Sequence, residues 1–131
     1  MIVLDTSAII AIITGEAMAE RCAGVIAAES SIIMSAGTLT ESLIVAARRK
    51  LLIEVRSLIS ISVTQIIDVT RERAALAAAA YALFGKSFHP ASLNFGDCFA
   101  YATAKEFNCP FLYVGDDFAR TDVIPAIPSA S

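Results

Sequence analysis

Ile2-Val3-Leu4-Asp5-Thr6-Ser7-Ala8-Ile9-Ile10-Ala11-Ile12-Ile13-Thr14-Gly15 decides the fold. Three apolar residues without alternation read as a strand covered on both faces, as in a parallel sheet. Asp5, Thr6 and Ser7 then offer polar side chains that can cap a short helix, and Gly15 stops it. A buried strand that runs straight into a helix begins an α/β fold.

The same alternation continues outward from this stretch. Residues 16–28 read as a helix with Met18, Cys22, Val25 and Ile26 on its apolar side, and residues 31–35 as a second buried strand. Residues 38–50 read as a helix with Arg48-Arg49-Lys50 at its C-terminal end, and residues 51–59 as a further short helix. A third strand is expected over residues 64–69 and an alanine-rich helix over 70–84, stopped at Gly85. After a loop with His89-Pro90 comes Leu93-Asn94-Phe95-Gly96-Asp97-Cys98-Phe99-Ala100-Tyr101-Ala102. Here Asn94 and Gly96 break the chain and a buried helix follows, ended by Asn108-Cys109-Pro110. Residues 111–114 form the fourth expected strand, then Gly115-Asp116-Asp117-Phe118, then a tail with a short strand and Pro125 and Pro128. No repeat or linker interrupts the pattern. The expectation is one α/β domain over residues 1–131, with a mainly parallel sheet flanked by helices and residues 124–131 as a C-terminal tail.

Composition narrows the function. Of 131 residues 56% are hydrophobic, with mean hydropathy +0.68. No apolar run approaches the roughly 20 residues of a membrane span. The start lacks the basic segment of a secretory signal, so a cytoplasmic location is expected. The excess of apolar residues implies that some surface is covered by a partner or a second copy. Ten basic residues against thirteen acidic ones, net charge -3, argue against duplex binding through a basic surface. They leave room for a nuclease whose acids hold cations. Three cysteines, Cys22, Cys98 and Cys109, without CxxC spacing, fit reduced thiols better than disulfides or zinc.

The acids carry the chemistry. Asp5 ends the first strand, and Asp116 and Asp117 follow the fourth. Glu41 is expected in the first turn of the helix after the second strand, and Asp97 in the first turn of the helix leading into the fourth. Strand ends and helix starts meet at one edge of a parallel sheet, where sites form. Carboxylates gathered there repel one another, and Mg²⁺ or Mn²⁺, hard cations that take oxygen ligands, relieve this. Thr6 and Ser7 add hydroxyls beside Asp5. Each acid alone also has a plainer role. Asp5 can cap the first helix, Glu41 can complete a capping box with Thr38, Asp97 can match a helix N-terminus, and Asp116-Asp117 can be a turn. His89 stands alone, so no nucleophile–histidine pair is available. Arg48, Arg49 and Lys50 read as a solvated helix end, with RNA phosphate contact by Arg48 or Arg49 the lesser reading; Cys98 reads as a core residue, and Tyr81, Phe84 and Phe88 as packing for the long helix before base stacking.

Four blocks now resemble a known family. Ile2-Val3-Leu4-Asp5-Thr6-Ser7-Ala8, Thr40-Glu41 with Arg48-Arg49, His89-Pro90 with residues 93–102, and Gly115-Asp116-Asp117-Phe118 with Thr121-Asp122 look like a PIN-domain ribonuclease of the VapC toxin type. The resemblance implies a PIN-like three-layer fold. It implies a metal-dependent endoribonuclease toxin, using Mg²⁺ or Mn²⁺ on Asp5, Glu41, Asp97 and Asp117, with Thr6, Ser7 and Asp116 in support. It implies in-line hydrolysis of RNA, restraint by a VapB-like antitoxin, and a homodimer. Many relatives carry a lysine before the last glycine, where this chain has Val114. Two other classes share features of the pattern. One is a phosphatase-type or other aspartate-based phosphotransfer domain, which wants Asp-x-Asp where this chain has Asp5-Thr6-Ser7. The other is a non-catalytic interaction module whose acids are all caps.

Overall fold

The computed structural model describes residues 1–128. The last part of the expected tail, residues 129–131, lies outside the described residues. Strands β1 (Ile2–Leu4), β2 (Ile32–Ser35), β3 (Gln65–Ile67) and β4 (Phe111–Leu112) form one sheet in the order β3-β2-β1-β4, with every pair parallel. Helices α1 (Thr6–Thr14), α2 (Ala19–Ala28), α3 (Ala36–Arg48), α4 (Leu52–Ser62), α5 (Arg71–Phe84) and α6 (Phe95–Phe107) cover it.

Side chains alternate across the pleat and build two cores. Val3, Ile33, Ile67 and Phe111 face α5 and α6, against Ala77, Ala80, Cys98, Tyr101 and Ala104. Ile2, Leu4, Ile32, Met34 and Leu112 face the other way, against Ile9 and Ile10 of α1, Cys22 of α2, and Val55 and Ile59 of α4. Both faces of the strands are therefore buried, which is why their sequences run apolar without alternation. The arrangement is the expected three-layer α/β/α fold.

Some boundaries differ from the sequence expectation, each for a local reason. Ser35 caps α3 by accepting from the Gly37 N–H at 3.1 Å, so the helix begins at Ala36. Glu41 therefore lies in the second turn, and Thr38 caps nothing. Asn94 caps α6, which begins at Phe95. Gly96 is thus a helical residue rather than a break. β4 stops at Leu112, and in place of the short strand expected in the tail a single bridge sets Pro125 beside Phe111. The Phe111 N–H donates to Ile124 O at 2.8 Å and Ala126 N–H to Phe111 O at 2.9 Å.

The topology locates the crevice. The chain moves from β1 through β2 to β3 on one side, then returns to place β4 on the other side of β1. The direction reverses between β1 and β4. Ligands of parallel sheets bind at such a point, beyond the carboxyl ends of the strands. Asp5 follows β1 there, and residues 113–117 follow β4.

Candidate active site

Asp5 is the deepest of the acids, 3% exposed. It caps α1. Its Oδ2 accepts from the Ser7 N–H at 3.0 Å and from the Ser7 hydroxyl at 2.6 Å. Its other oxygen, Oδ1, is buried and has no hydrogen-bond partner. Capping therefore accounts for half of this carboxylate. A buried carboxylate oxygen left without a partner costs free energy, so its retention calls for a role that capping does not supply. Burial pushes the Asp5 carboxyl up to about 7. The two Ser7 hydrogen bonds oppose the rise, and the charges of Glu41 and Asp97 add to it.

Asp97 is held by a capping box. Asn94 Oδ1 accepts from the Asp97 N–H at 2.9 Å, and Asp97 Oδ2 accepts from the Asn94 N–H at 3.0 Å. Its carboxyl is pushed up to about 6, first by burial, with Glu41 and Asp117 adding charge repulsion and the Asn94 N–H opposing.

Glu41 reaches the same place from α3. Its Oε1 accepts from the Thr6 hydroxyl at 2.8 Å, and that hydroxyl is 2.8 Å from the fully buried Ser42 Oγ. Two glycines permit the approach of α3 and α6. Gly37 of α3 lies against the Phe99 ring of α6, and Gly96 of α6 lies against the Glu41 carboxylate, which a Cβ at Gly96 would strike.

Asp117 and Asp116 are exposed. Asp117 stands at the start of the 3₁₀ turn Phe118–Arg120 and makes no side-chain capping bond. Its charge adds to the rise of the Asp97 carboxyl, so it lies near the set.

Asp5, Glu41, Asp97 and Asp117 are thus linked by mutual repulsion, and no ion pair among the described residues relieves them. Nor, among the described residues, are three acid, cysteine or histidine side chains drawn into one tight coordination set. Each of the three inner acids has one oxygen turned toward a donor of its own: Ser7, Thr6 or Asn94.

Ser7 also spans the crevice. Its hydroxyl donates to Asp5 and accepts the Val114 N–H at 2.9 Å, which ties the end of β1 to the chain leaving β4. Val114 takes part through its backbone, while its side chain packs on the α1–α4 core.

With this geometry, the sequence matches the PIN domain family over residues 2–124. Ribonuclease VapC36 of Mycobacterium tuberculosis is 41% identical over 128 residues, which span 92% of this chain and 90% of the relative. The chain belongs to the VapC ribonucleases of the PIN-domain family.

Solved structures agree on the fold. M. tuberculosis VapC20, described as a sarcin–ricin loop cleaving toxin, superposes with a TM-score of 0.77 at 16% identity. The match covers 98% of this chain and all of that one. A toxin–antitoxin complex from Klebsiella pneumoniae gives 0.71 at 19% identity, over 97% and 98% of the two chains. Family membership removes the phosphotransfer alternative.

Ser42 and Gly96 support the placement of Glu41, Ser42 through the Thr6 hydroxyl and Gly96 by leaving room for the carboxylate. Phe95, one helical residue from Gly96, is 78% exposed. It lines a groove of about 630 Å³ with Glu41, Ile44, Arg48, Val69 and Asn94. Arg48 is the only basic residue of that groove among the described residues. Tyr81 and Phe84 are packed, as expected, against Phe88 and Tyr101. Among the described residues, no helix is long and apolar enough to cross a membrane.

Proposed function

We propose that this VapC-type chain cleaves RNA phosphodiesters at the edge formed by Asp5, Glu41, Asp97 and Asp117, and that it depends on Mg²⁺ or Mn²⁺. The observation that carries the reading is the buried, partnerless Oδ1 of Asp5 at the topological switch point, a carboxyl that burial pushes up and that the charges of Glu41 and Asp97 push further. The donor set is all carboxylate, which suits a hard divalent cation. Asp5 and Asp97 would hold the ion, with Glu41 binding it directly or through water. When bound, such an ion polarises a phosphate oxygen and lowers the pKa of water. Asp117, exposed and without a capping bond, completes the site or positions the attacking water. Ser7 and Thr6 keep one oxygen of Asp5 and of Glu41 occupied, which leaves the other to hold an ion. Arg48 and Phe95 meet the RNA strand in the adjoining groove.

The chain acts as the toxin of a pair restrained by an antitoxin, and as a homodimer. Ile53 and Ile61, both 81% exposed and both on α4, support an antitoxin segment on the side of the early helices. The hydrophobic share of the chain, 56%, supports a second copy. Burying such residues contributes roughly 25 cal/mol per Å² of apolar surface. A cytoplasmic location fits this reading.

Cleavage of total RNA with and without Mn²⁺ tests the reading. Asp97→Asn is expected to lose roughly 10²-fold or more in rate. Asp117→Asn, at an exposed position, loses on the order of tenfold. Equal cleavage by wild type and both variants would trace the activity to a contaminant and end the proposal.

A further inference from the structure

Asp122 stands outside the acid set, yet both of its oxygens are engaged by α6. Tyr101 donates its hydroxyl to Oδ1 at 2.6 Å, and the Lys105 ammonium lies 3.1 Å from Oδ2. Asp97, Tyr101 and Lys105 are spaced by four residues along α6, so they share one face of the helix. Tyr101 is only 5% exposed. Phenylalanine would fill its place in the core equally well. The hydroxyl adds one thing, a charge-assisted hydrogen bond to a carboxylate, which is roughly twice as strong as a neutral one.

What that bond fastens is the segment carrying Asp117. Phe118 is 4% exposed, its ring 4.7 Å from Phe111 and 5.5 Å from Tyr113. Thr121 donates to Phe118 O at 2.6 Å and leads into Asp122. On the other side of Asp117 the chain has no such anchor until Val114, whose N–H donates to Ser7. Gly115 adopts φ 111, and Gly115, Asp116 and Asp117 are exposed. Asp117 therefore takes its position from the residues that follow it, through Phe118 in the core and Asp122 on α6.

We propose that Tyr101 is a positioning residue: through Asp122 it clasps residues 117–122 to α6 and holds Asp117 level with Asp97. The inference rests on the reading that Asp117 belongs to the site. The clasp joins two acids that come from different elements, one on α6 and one after β4. It uses the helix that already carries Asp97 as the ruler. Lys105 neutralises Asp122 from the adjacent turn, so the fastening carboxylate adds little to the repulsion around Asp97.

Tyr101→Phe and Asp122→Asn, made in the full chain, test this. Amide hydrogen exchange over residues 115–121 is expected to speed up about tenfold or more in both, while the helices keep their protection. Mn²⁺ affinity, read by calorimetry, weakens by roughly tenfold, as when a supporting residue of a metal site is lost. In an Asp117→Asn background Tyr101→Phe then adds no further loss, because the two substitutions remove the same contribution. Unchanged exchange over 115–121 overturns the clasp. So does an affinity loss of equal size in both backgrounds, which would make Tyr101 an ordinary core residue. Failure of wild type to bind Mn²⁺ would defeat the metal reading instead, and the exchange data would still judge the clasp.

Discussion

Asp5→Asn raises the melting temperature of the metal-free protein by about 5 °C or more and lowers RNA cleavage on the order of 10³-fold. Both effects come from one atom group. Asp5 is buried, and its carboxyl is pushed from 3.8 up to about 7. At 1.36 kcal/mol for each tenfold change in proton affinity, ionising it in the fold at neutral pH costs up to about 4 kcal/mol. Asparagine keeps the shape and an oxygen that can accept from Ser7, and it carries no charge to desolvate. Even half of that gain shifts the melting point of a chain this size by several degrees. The same substitution removes the carboxylate that would anchor the ion, and an ion's contribution of several kcal/mol is several decades in rate. Stability kept below its optimum is common at sites built for chemistry. Thermal melts and cleavage assays on the two proteins check this. An asparagine variant that melts lower would show that Asp5 is held for its cap on α1 and nothing more.

The pH dependence follows with a definite sign. Asp5 and Asp97 bind their protons more tightly in the fold, to about 7 and about 6, than in the unfolded chain, near 3.8. Unfolding between those values releases protons, so raising the pH lowers stability. The contribution is fully present below about pH 4 and is lost as pH rises through 6 and then 7. Melts of the metal-free protein are expected to fall across this window, and Asp5→Asn flattens the upper part of the fall. Mn²⁺ competes with the same protons, so the stabilisation it gives grows from pH 6 to 8. A melting temperature that rises steadily from pH 4 to 7 without metal contradicts the assigned burial of Asp5.

Much of this was legible in the sequence because it is written locally. Ile2-Val3-Leu4 announces a strand buried on both faces, and Asp5 is at its end whatever the rest of the chain does. Asp97 reads as a charge in the first turn of α6, where the structure finds it, although Asn94, its partner in the capping box, reads only as a break in the chain. Glu41 was harder to read. Its phase on α3 depends on where the helix starts, and Ser35, at a strand end, took the capping role that Thr38 offered. Its approach to Asp97 depends on Gly37 and Gly96, which lie 59 residues apart and gain meaning only when the two helices touch. The short β4 was equally hidden. Its apolar sequence continues through Val114, but the Val114 N–H is taken by Ser7, a residue more than 100 positions earlier. Contacts of that range leave no period or motif behind.

Gly96→Ala separates that long-range geometry from stability. In a helix, alanine is favoured over glycine by about 1 kcal/mol, so on propensity alone the variant gains stability. The new methyl group, however, occupies the place of the Glu41 carboxylate. That carboxylate is the far end of a flexible side chain, and it can move away at little cost to the fold. Moving breaks its 2.8 Å hydrogen bond from Thr6 and takes Glu41 out of the set that surrounds Asp5 and Asp97. A melting temperature equal to or above wild type is therefore expected together with a loss of cleavage of roughly 10²-fold, the scale of displacing one ligand or its support. Removal of the Glu41 charge also lets the Asp5 and Asp97 carboxyls relax toward lower values, which carbon-detected titration by NMR can follow. Gly96→Ala in combination with Glu41→Gln is expected to be no worse than either change alone, since both act on one carboxylate. A Gly96→Ala protein with full activity would mean that Glu41 works from another position, and the close passage of α3 over α6 would then serve packing alone.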